Sequence, residues 1–346
     1  MTLKEIAAMT GTSVSTVSRV LNQTSPTCAS KETQDKIWAA VRKTGYQPNR
    51  AAQALRREGA ASTAENRGPV QEAVFVTVVL ARIASLDDEP FFAELFRCLE
   101  IELMRNGGVI REVIHAKEAL PQSVPADGGI VIFGRCSEML LKSILARNPN
   151  VVGIWRNPVD FNVDEVVCDG QKAAEAAIAH LLSLGHRKIA YIGSCSYESR
   201  YVGYCDMLIR NSIPIDYALI KPTDQSRAEA EGALMELLRQ RAEGSADFSA
   251  IFCANDNTAV RVLELLEEHR RDVRPGRISV ISIDDIDAAQ NTRPFLTTVR
   301  IPRDEMAHMA VVLLLDRIAG GHREIVRVEF PCRIVRRTSC FPAAQN

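Results

Sequence analysis

Three side chains follow strand-like runs and could together hold a polyol. Arg200 lies in SYESRYVGYCDML, at the start of a helical stretch; Asn255 follows IFCA, and Asp284 follows ISVISI. Open α/β sheets place their clefts at the carboxyl ends of strands. A guanidinium, an amide and a carboxylate converging there would give donors and acceptors for adjacent hydroxyls of a sugar. Phe91, Phe92 and Trp155 are candidates for the apolar side, since a sugar ring stacks on an aromatic face, although at least one of the three is expected to be plain core and Phe92 reads as that one. Asp256 and Asp285 read better as caps of the helices that follow them.

A second constellation opens the chain. In TLKEIAAMTGTSVSTVSRVLN (2–22), Leu3, Ile6, Ala7 and Thr10 recur at helical spacing, and Gly11 stops that helix. Ser13 can cap a second helix bearing Val14, Val17, Val20 and Leu21. Helix, glycine turn and helix make a helix-turn-helix, whose second helix can enter a major groove. Val14, Ser15 and Arg19 would occupy its leading face, where Arg19 can bridge a guanine bidentately. Thr16, Ser18 and Asn22 suit phosphate oxygens. The same pattern could also be a small helical bundle that contacts protein.

Charge favours a polyanion. The chain of 346 residues carries net −1, but residues 1–60 hold nine Lys/Arg against four acids, and the remainder is acidic. Behind the helix-turn-helix, residues 30–44 carry Ile37, Ala40 and Val41 on one helical face and end at Gly45. A short alanine-rich stretch, Asn49–Arg57, follows with Asn49 as its N-cap. Residues 58–71, EGAASTAENRGPVQ, are small, polar and unpatterned, and read as a linker.

From residue 73 strands and helices alternate. Strand-like runs stand at 73–80, 109–115, 129–134, 151–155, 189–193, 217–221, 250–253, 278–283 and 325–335. Helical runs near 91–105, 173–184, 199–210, 226–241, 257–269 and 303–319 separate many of them. Repeated βα units imply parallel sheets with helices on both faces. About 270 residues exceed one such sheet, so two doubly wound subdomains are expected. The eight even steps of a TIM barrel are not there.

Other functions find little support. No apolar run approaches the roughly 18 residues of a membrane span, and no secretory signal opens the chain. Nine cysteines without a C-x-x-C fit a reduced, cytoplasmic setting and neither a zinc site nor a disulfide framework. His180 and His186 match no common metal spacing, and His186 reads as closing a helix–strand turn. No G-x-S-x-G, Walker loop, G-x-G-x-x-G or H-E-x-x-H is present, so neither an enzyme nor a cofactor is expected. Asp284, Asp285 and Asp287 cluster without a partner base. A transport binding protein would suit the body but not the basic head.

The head motif strongly resembles the N-terminus of the LacI/GalR family of bacterial transcriptional repressors. TGYQPNRAAQALR (44–56) resembles its third-helix exit and hinge helix. EPFFAELFRCLE, HLLSLGHRKIAYIG, AIFCANDNTAV, RISVISIDDIDAA, PFLTTVRIP and RIVRRTSC stand in family order. Thr10 and Thr12, flanking the turn glycine, depart from the family's small or apolar residues, and the linker with Gly68-Pro69 is longer than usual.

The resemblance implies an all-α head on a periplasmic-binding-protein-like α/β body of two doubly wound parallel-sheet subdomains. It implies a cytoplasmic homodimer that reads a pseudo-palindromic operator and binds a sugar-like effector, with a weak lean to galactosides. Residues 1–57 would form the head with its hinge helix, 58–71 the linker and 72–340 the effector and dimerisation domain. Its N-subdomain would span about 72–168 and 299–325, and its C-subdomain about 169–298 and 326–340. Thr2, Ser13, Val14, Ser15, Thr16, Ser18, Arg19, Asn22, Asn49 and Leu55 would meet DNA, with Leu55 wedged into the minor groove. Phe91, Trp155, Arg200, Asn255 and Asp284 would meet the effector, and no metal is expected. A solute-binding protein of a transport system and a regulator needing a corepressor remain as alternatives.

Overall fold

A computed structural model describes residues 2–22, 29–44, 46, 73–117, 119–120, 122–134, 136–156, 162–269 and 278–343. The proposed hinge helix and linker, with Asn49 and Leu55, lie outside them.

Local chemistry sets the head. Thr2 and Glu5 form a reciprocal capping box that starts α1 (Leu3–Thr10), and Gly11 ends it at φ 64°, a conformation that favours glycine. Ser13 Oγ accepts from the Thr16 amide at 3.0 Å and opens α2 (Val14–Asn22). Ser30 does the same for α3 (Lys31–Thr44), accepting from the Thr33 amide at 3.3 Å. Ile6, Ala7, Val17, Val20, Leu21, Ile37, Ala40 and Val41 close the core between them. The hydroxyls of Thr10 and Thr12 satisfy each other at 2.9 Å, and Thr10 also donates to the Ile6 carbonyl at 2.8 Å, so neither strains the turn.

The body begins with β1 (Val74–Ala81), α4 (Pro90–Arg105), β2 (Gly108–Ala116), β3 (Gly129–Gly134), α5 (Glu138–Leu145), β4 (Val151–Trp155) and β5 (Asp164–Val167). It continues through α6 (Gly170–Ser183), β6 (Ile189–Gly193), α7 (Ser199–Arg210), β7 (Ile220–Pro222), α8 (Arg227–Ala242), β8 (Ala250–Cys253) and α9 (Asp256–Glu268). β9 (Ser279–Asp284), β10 (Thr297–Arg300), α10 (Arg303–Ile318), β11 (Arg327–Glu329) and β12 (Arg333–Val335) complete it. One six-stranded sheet runs β11-β5-β4-β3-β1-β2 and the other β12-β10-β9-β8-β6-β7. Both repeat a flavodoxin-like order, with its switch point between the first and third strands of each set.

Four features differ from the sequence reading. β5, β10 and α5 were not expected. They are short, and period alone does not separate such segments from loops. The expected closing strand at 325–335 is two strands in different sheets, and β12 pairs antiparallel with β10, placing Ile334 beside Val299. The chain therefore passes from the first sheet to the second at 168–169 and again at 330–332.

Two compact units result. One holds Met1–Arg82, Phe96–Gly153 and Ala307–Glu324, the other Ile83–Leu95, Ile154–Met306 and Ile325–Asn346. Within the first unit the head core extends onto α4. Trp38 and Tyr46 are buried with Ile101 and Met104, the Arg97 guanidinium sits 5.1 Å from the Trp38 ring centroid, and Arg97 pairs with Asp35 at 2.5 Å. Nothing in the α3 pattern distinguished Trp38 from an exposed residue.

Candidate functional site

The proposed reading surface of the head is accessible. Thr2, Ser13, Val14, Ser15 and Arg19 are exposed, and Thr16 and Ser18 are half-buried. Val14 is 39 % exposed, so it leaves the core to the other apolar positions of α2 and suits a groove-facing position. The Arg19 Nε–H reaches the Ser15 carbonyl only at 3.4 Å, leaving its guanidinium free to bend toward a base. Ser13 is engaged as the cap of α2, and Thr2 as the cap of α1. Asn22 ends α2, and its side chain is outside the described residues.

The residues expected to meet a polyol gather in the second unit, at the carboxyl ends of β4, β6, β8 and β9. β9 delivers Asp284 with φ 131°, followed by Asp285 at φ 56°. Two successive non-glycine residues at positive φ store strain, and such strain persists only where surrounding contacts fix it. Arg303 supplies them: its guanidinium donates to the Asp284 carbonyl at 2.8 Å and the Asp285 carbonyl at 3.0 Å. It also pairs with Glu94 at 2.9 Å. The Asp284 carboxylate is 2 % exposed and accepts from one Arg156 nitrogen at 3.0 and 3.1 Å. Burial pushes its pKa up, while Arg156, Arg200 and Arg303 pull the other way.

Arg200 enters from the first turn of α7. Its guanidinium donates to both Glu198 oxygens at 2.7 and 2.8 Å, to the Ala254 carbonyl at 2.7 Å and to Gln225 at 3.0 Å. Burial alone would raise the Glu198 carboxyl, but the charge and hydrogen bonds of Arg200 outweigh it and hold it at about 2. Asn255 sits beside Ala254 and caps α9, accepting from the Thr258 amide at 2.9 Å. β6 packs closely here, since a methyl group on Gly193 would overlap Ala254 and the Tyr191 hydroxyl.

The aromatic residues are placed differently from one another. Phe91 and Phe92 lie edge to face, and the Arg156 guanidinium is 4.3 Å from the first ring centroid and 4.8 Å from the second. Arg156 thus covers one face of each ring. Phe92 is buried beside that cation, in keeping with its reading as core. Trp155 is 3 % exposed at the end of β4, and among the described residues its indole N–H has no hydrogen-bond partner.

Two capping assignments are corrected. Asp256 is not the cap of α9, because Asn255 takes that place. Instead it accepts from Ser282 at 2.5 Å, Thr298 at 2.6 Å and the Ile286 amide at 2.9 Å, bolting β9 to β10. Burial raises its carboxyl to about 7. Asp285 caps no helix either. It accepts from Arg337 at 2.5 Å, and the one-turn helix at Asp287–Gln290 has no side-chain cap.

Arg156, Glu198, Gln225, Glu94 and Arg303 were not singled out from sequence. Arg156 could have been, since it directly follows a strand, like the residues that were. The rest depend on which loops meet. His186 bridges Ser249 and the Phe341 carbonyl, both at 2.8 Å, which fits closure of a turn. Among the described residues no group of His, Cys, Asp and Glu could hold a metal, and no helix is long and apolar enough to cross a membrane.

Residues 2–49 match the bacterial regulatory proteins of the lacI family, and residues 178–340 match a periplasmic binding protein-like domain. The chain is 30 % identical to the HTH-type transcriptional regulator GalR of Escherichia coli (strain K12), over 98 % of this chain and 95 % of that protein. A LacI family transcriptional regulator from Enterococcus faecium with bound ribose superposes with a TM-score of 0.65 at 25 % identity, covering 78 % of this chain and all of that one. The lac repressor dimer bound to operator and the anti-inducer ONPF shares the fold, at TM-score 0.61 and 21 % identity over 99 % of each chain.

Proposed function

This chain belongs to the lacI family of bacterial regulatory proteins, DNA-binding transcriptional regulators, and we propose that it is a repressor whose grip on its operator is set by a small sugar. It works in the cytoplasm as a homodimer on a pseudo-palindromic operator, because two-fold protein symmetry selects two-fold sites. The head with its hinge helix spans 1–57, the linker 58–71 and the effector and dimerisation domain 72–340. Val14, Ser15 and Arg19 read bases. Thr2, Ser13, Thr16, Ser18, Asn22 and Asn49 hold the backbone, and Leu55 wedges the minor groove. Exposure of that surface on a capped, well-packed head supports the DNA-reading role.

Asp284 carries the sugar reading. A nearly buried carboxylate, held on strained backbone by Arg303 and facing Arg156, is costly to maintain and is poised to accept from hydroxyls. Arg200 and Asn255 flank it with donors, and Phe91 and Trp155 give the apolar side. Ribose in the Enterococcus relative and the name of GalR favour a monosaccharide or galactoside.

Selection from randomised oligonucleotides, followed by anisotropy at rising salt, tests the DNA reading. A palindromic site with steep salt dependence is expected, as phosphate contacts release counterions; no enriched site, or a flat salt response, overturns it. A thermal-shift screen of monosaccharides and galactosides then tests the effector. Asp284→Asn keeps the shape and removes the charge, so it should bind the selected operator normally and lose the shift. A normal response in that variant removes Asp284 from the site.

A further inference from the structure

Trp38 is the residue of the head that the head's own fold does not explain. α3 packs on α1 and α2, with Ile37, Ala40 and Val41 in the shared core. Trp38 lies about 100° further round the helix than Ile37. It is nevertheless 1 % exposed, and it is buried in one cluster with Ile101 and Met104 of α4 and with Tyr46 just beyond α3. A small cavity of about 20 Å³ marks the seam, lined by Trp38, Val41 and Tyr46 from the head and by Glu100, Met104 and Gly108 from the body. α3 also lies against β2. Charge closes the rim: Arg97 of α4 stacks on the Trp38 ring at 5.1 Å, pairs with Asp35 of α3 at 2.5 Å and with Glu100 at 3.7 Å. All of these residues belong to the first unit.

We propose that this seam is an intramolecular docking surface that presents the head to DNA. α3 anchors the head on α4, and the anchor, not the length of segment 58–71, sets where α2 stands. Two observations favour presentation over masking. The dock uses α3 and leaves Val14, Ser15 and Arg19 of α2 exposed, so the reading surface stays open while the head is held. The seam is mainly apolar, with two aromatic rings taken out of water, so neither salt nor the field of DNA phosphates screens what holds it.

Holding the head in one place removes from the binding step the entropy of fixing it there. A tethered but undocked head meets DNA at an effective concentration that falls as about the −3/2 power of tether length. A docked head does not feel that length. Segment 58–71 is small, polar and unpatterned in sequence, and offers no apolar face with which to set the head's position itself. The presenting role rests on the DNA-reading role of α2. The dock itself does not.

The test measures operator affinity of the full-length protein by anisotropy at one salt concentration, on a site selected from randomised oligonucleotides. Segment 58–71 is doubled with a Gly-Ser insert, in wild type and in Met104→Gln, which opens the seam from the body side and leaves every residue of the head in place. The insert should change wild-type affinity by less than about twofold, and should weaken Met104→Gln by roughly threefold per head. Trp38→Gln should reproduce the Met104→Gln behaviour from the head side. Combining the two should add nothing further, since either alone opens the seam. Both variants should keep the far-UV circular dichroism of wild type. An insert with the same effect in both backgrounds overturns the proposal, and so does tighter binding once the seam is open, which is the behaviour of a masked head. If no operator is selected, the DNA-reading role falls and the presenting role with it; acrylamide shielding of Trp38 in Trp155→Phe then still reports whether the head is docked.

Discussion

Replacing Glu198 with glutamine isolates the charge that holds Arg200. The two side chains are 4 % and 6 % exposed, and Glu198 accepts three bonds from Arg200: the backbone amide at 3.2 Å and the guanidinium at 2.7 and 2.8 Å. A carboxyl held at about 2 rather than 4.5 prefers its charged form by about 3 kcal/mol. Breaking one side of a buried pair costs about 3–5 kcal/mol in general, because the remaining charge is left uncompensated. Arg200 keeps the Ala254 carbonyl and Gln225 in the variant, which places the loss at the lower end, about 3 kcal/mol. The pH dependence follows from the sign. A depressed carboxyl stabilises the fold above its unfolded pKa, and that stability is lost as pH falls from 4.5 toward 2. Urea unfolding of wild type and Glu198→Gln at several pH values reads this difference in the transition that carries the second sheet. The gap should be full at neutral pH and shrink below pH 4.5. A gap under about 1 kcal/mol, or one unchanged between neutral and strongly acid pH, refutes the reasoning, since the pair would then resemble a solvated surface bridge.

The remaining expectations concern the head, α4 and the acids around Arg303. Arg19→Ala should lose about 1–3 kcal/mol of base discrimination in competition anisotropy while the thermal unfolding of the body is unchanged, because the side chain is exposed. The chain has two tryptophans, so Trp155→Phe leaves Trp38 as reporter; its emission should be blue-shifted and shielded from acrylamide, and Met104→Lys should abolish both properties. A water-exposed Trp38 spectrum in the parent would contradict the docking of α3 on α4. Burial raises Glu94 to about 7 against the pull of Arg303, so its cost to the folded state grows as pH rises from 4.5 and levels off above about 7. Glu94→Gln should therefore gain stability relative to wild type over that range in a pH series of melts, and a constant difference would show that Glu94 ionises normally.

Much of this protein was legible without coordinates because its signals are local. Gly11 and Ser13 place a turn and a cap at fixed spacing, and each acts within four residues of itself. Apolar periodicity and β-branched runs announced the longer elements, and residues directly after strands pointed to Arg200, Asn255 and Asp284. Tertiary structure decided what those residues could do. Asp284 is strained, paired with Arg156 and braced by Arg303 from 19 positions further on. Asn255 took the cap that Asp256 seemed placed to take, because Ser282 and Thr298, brought in by β9 and β10, offered Asp256 better donors. Trp38 became core only because α4 presents Ile101 and Met104 to it. Capping and periodicity depend on neighbours in sequence; charge pairing and burial depend on neighbours in space, which the order of residues alone does not supply.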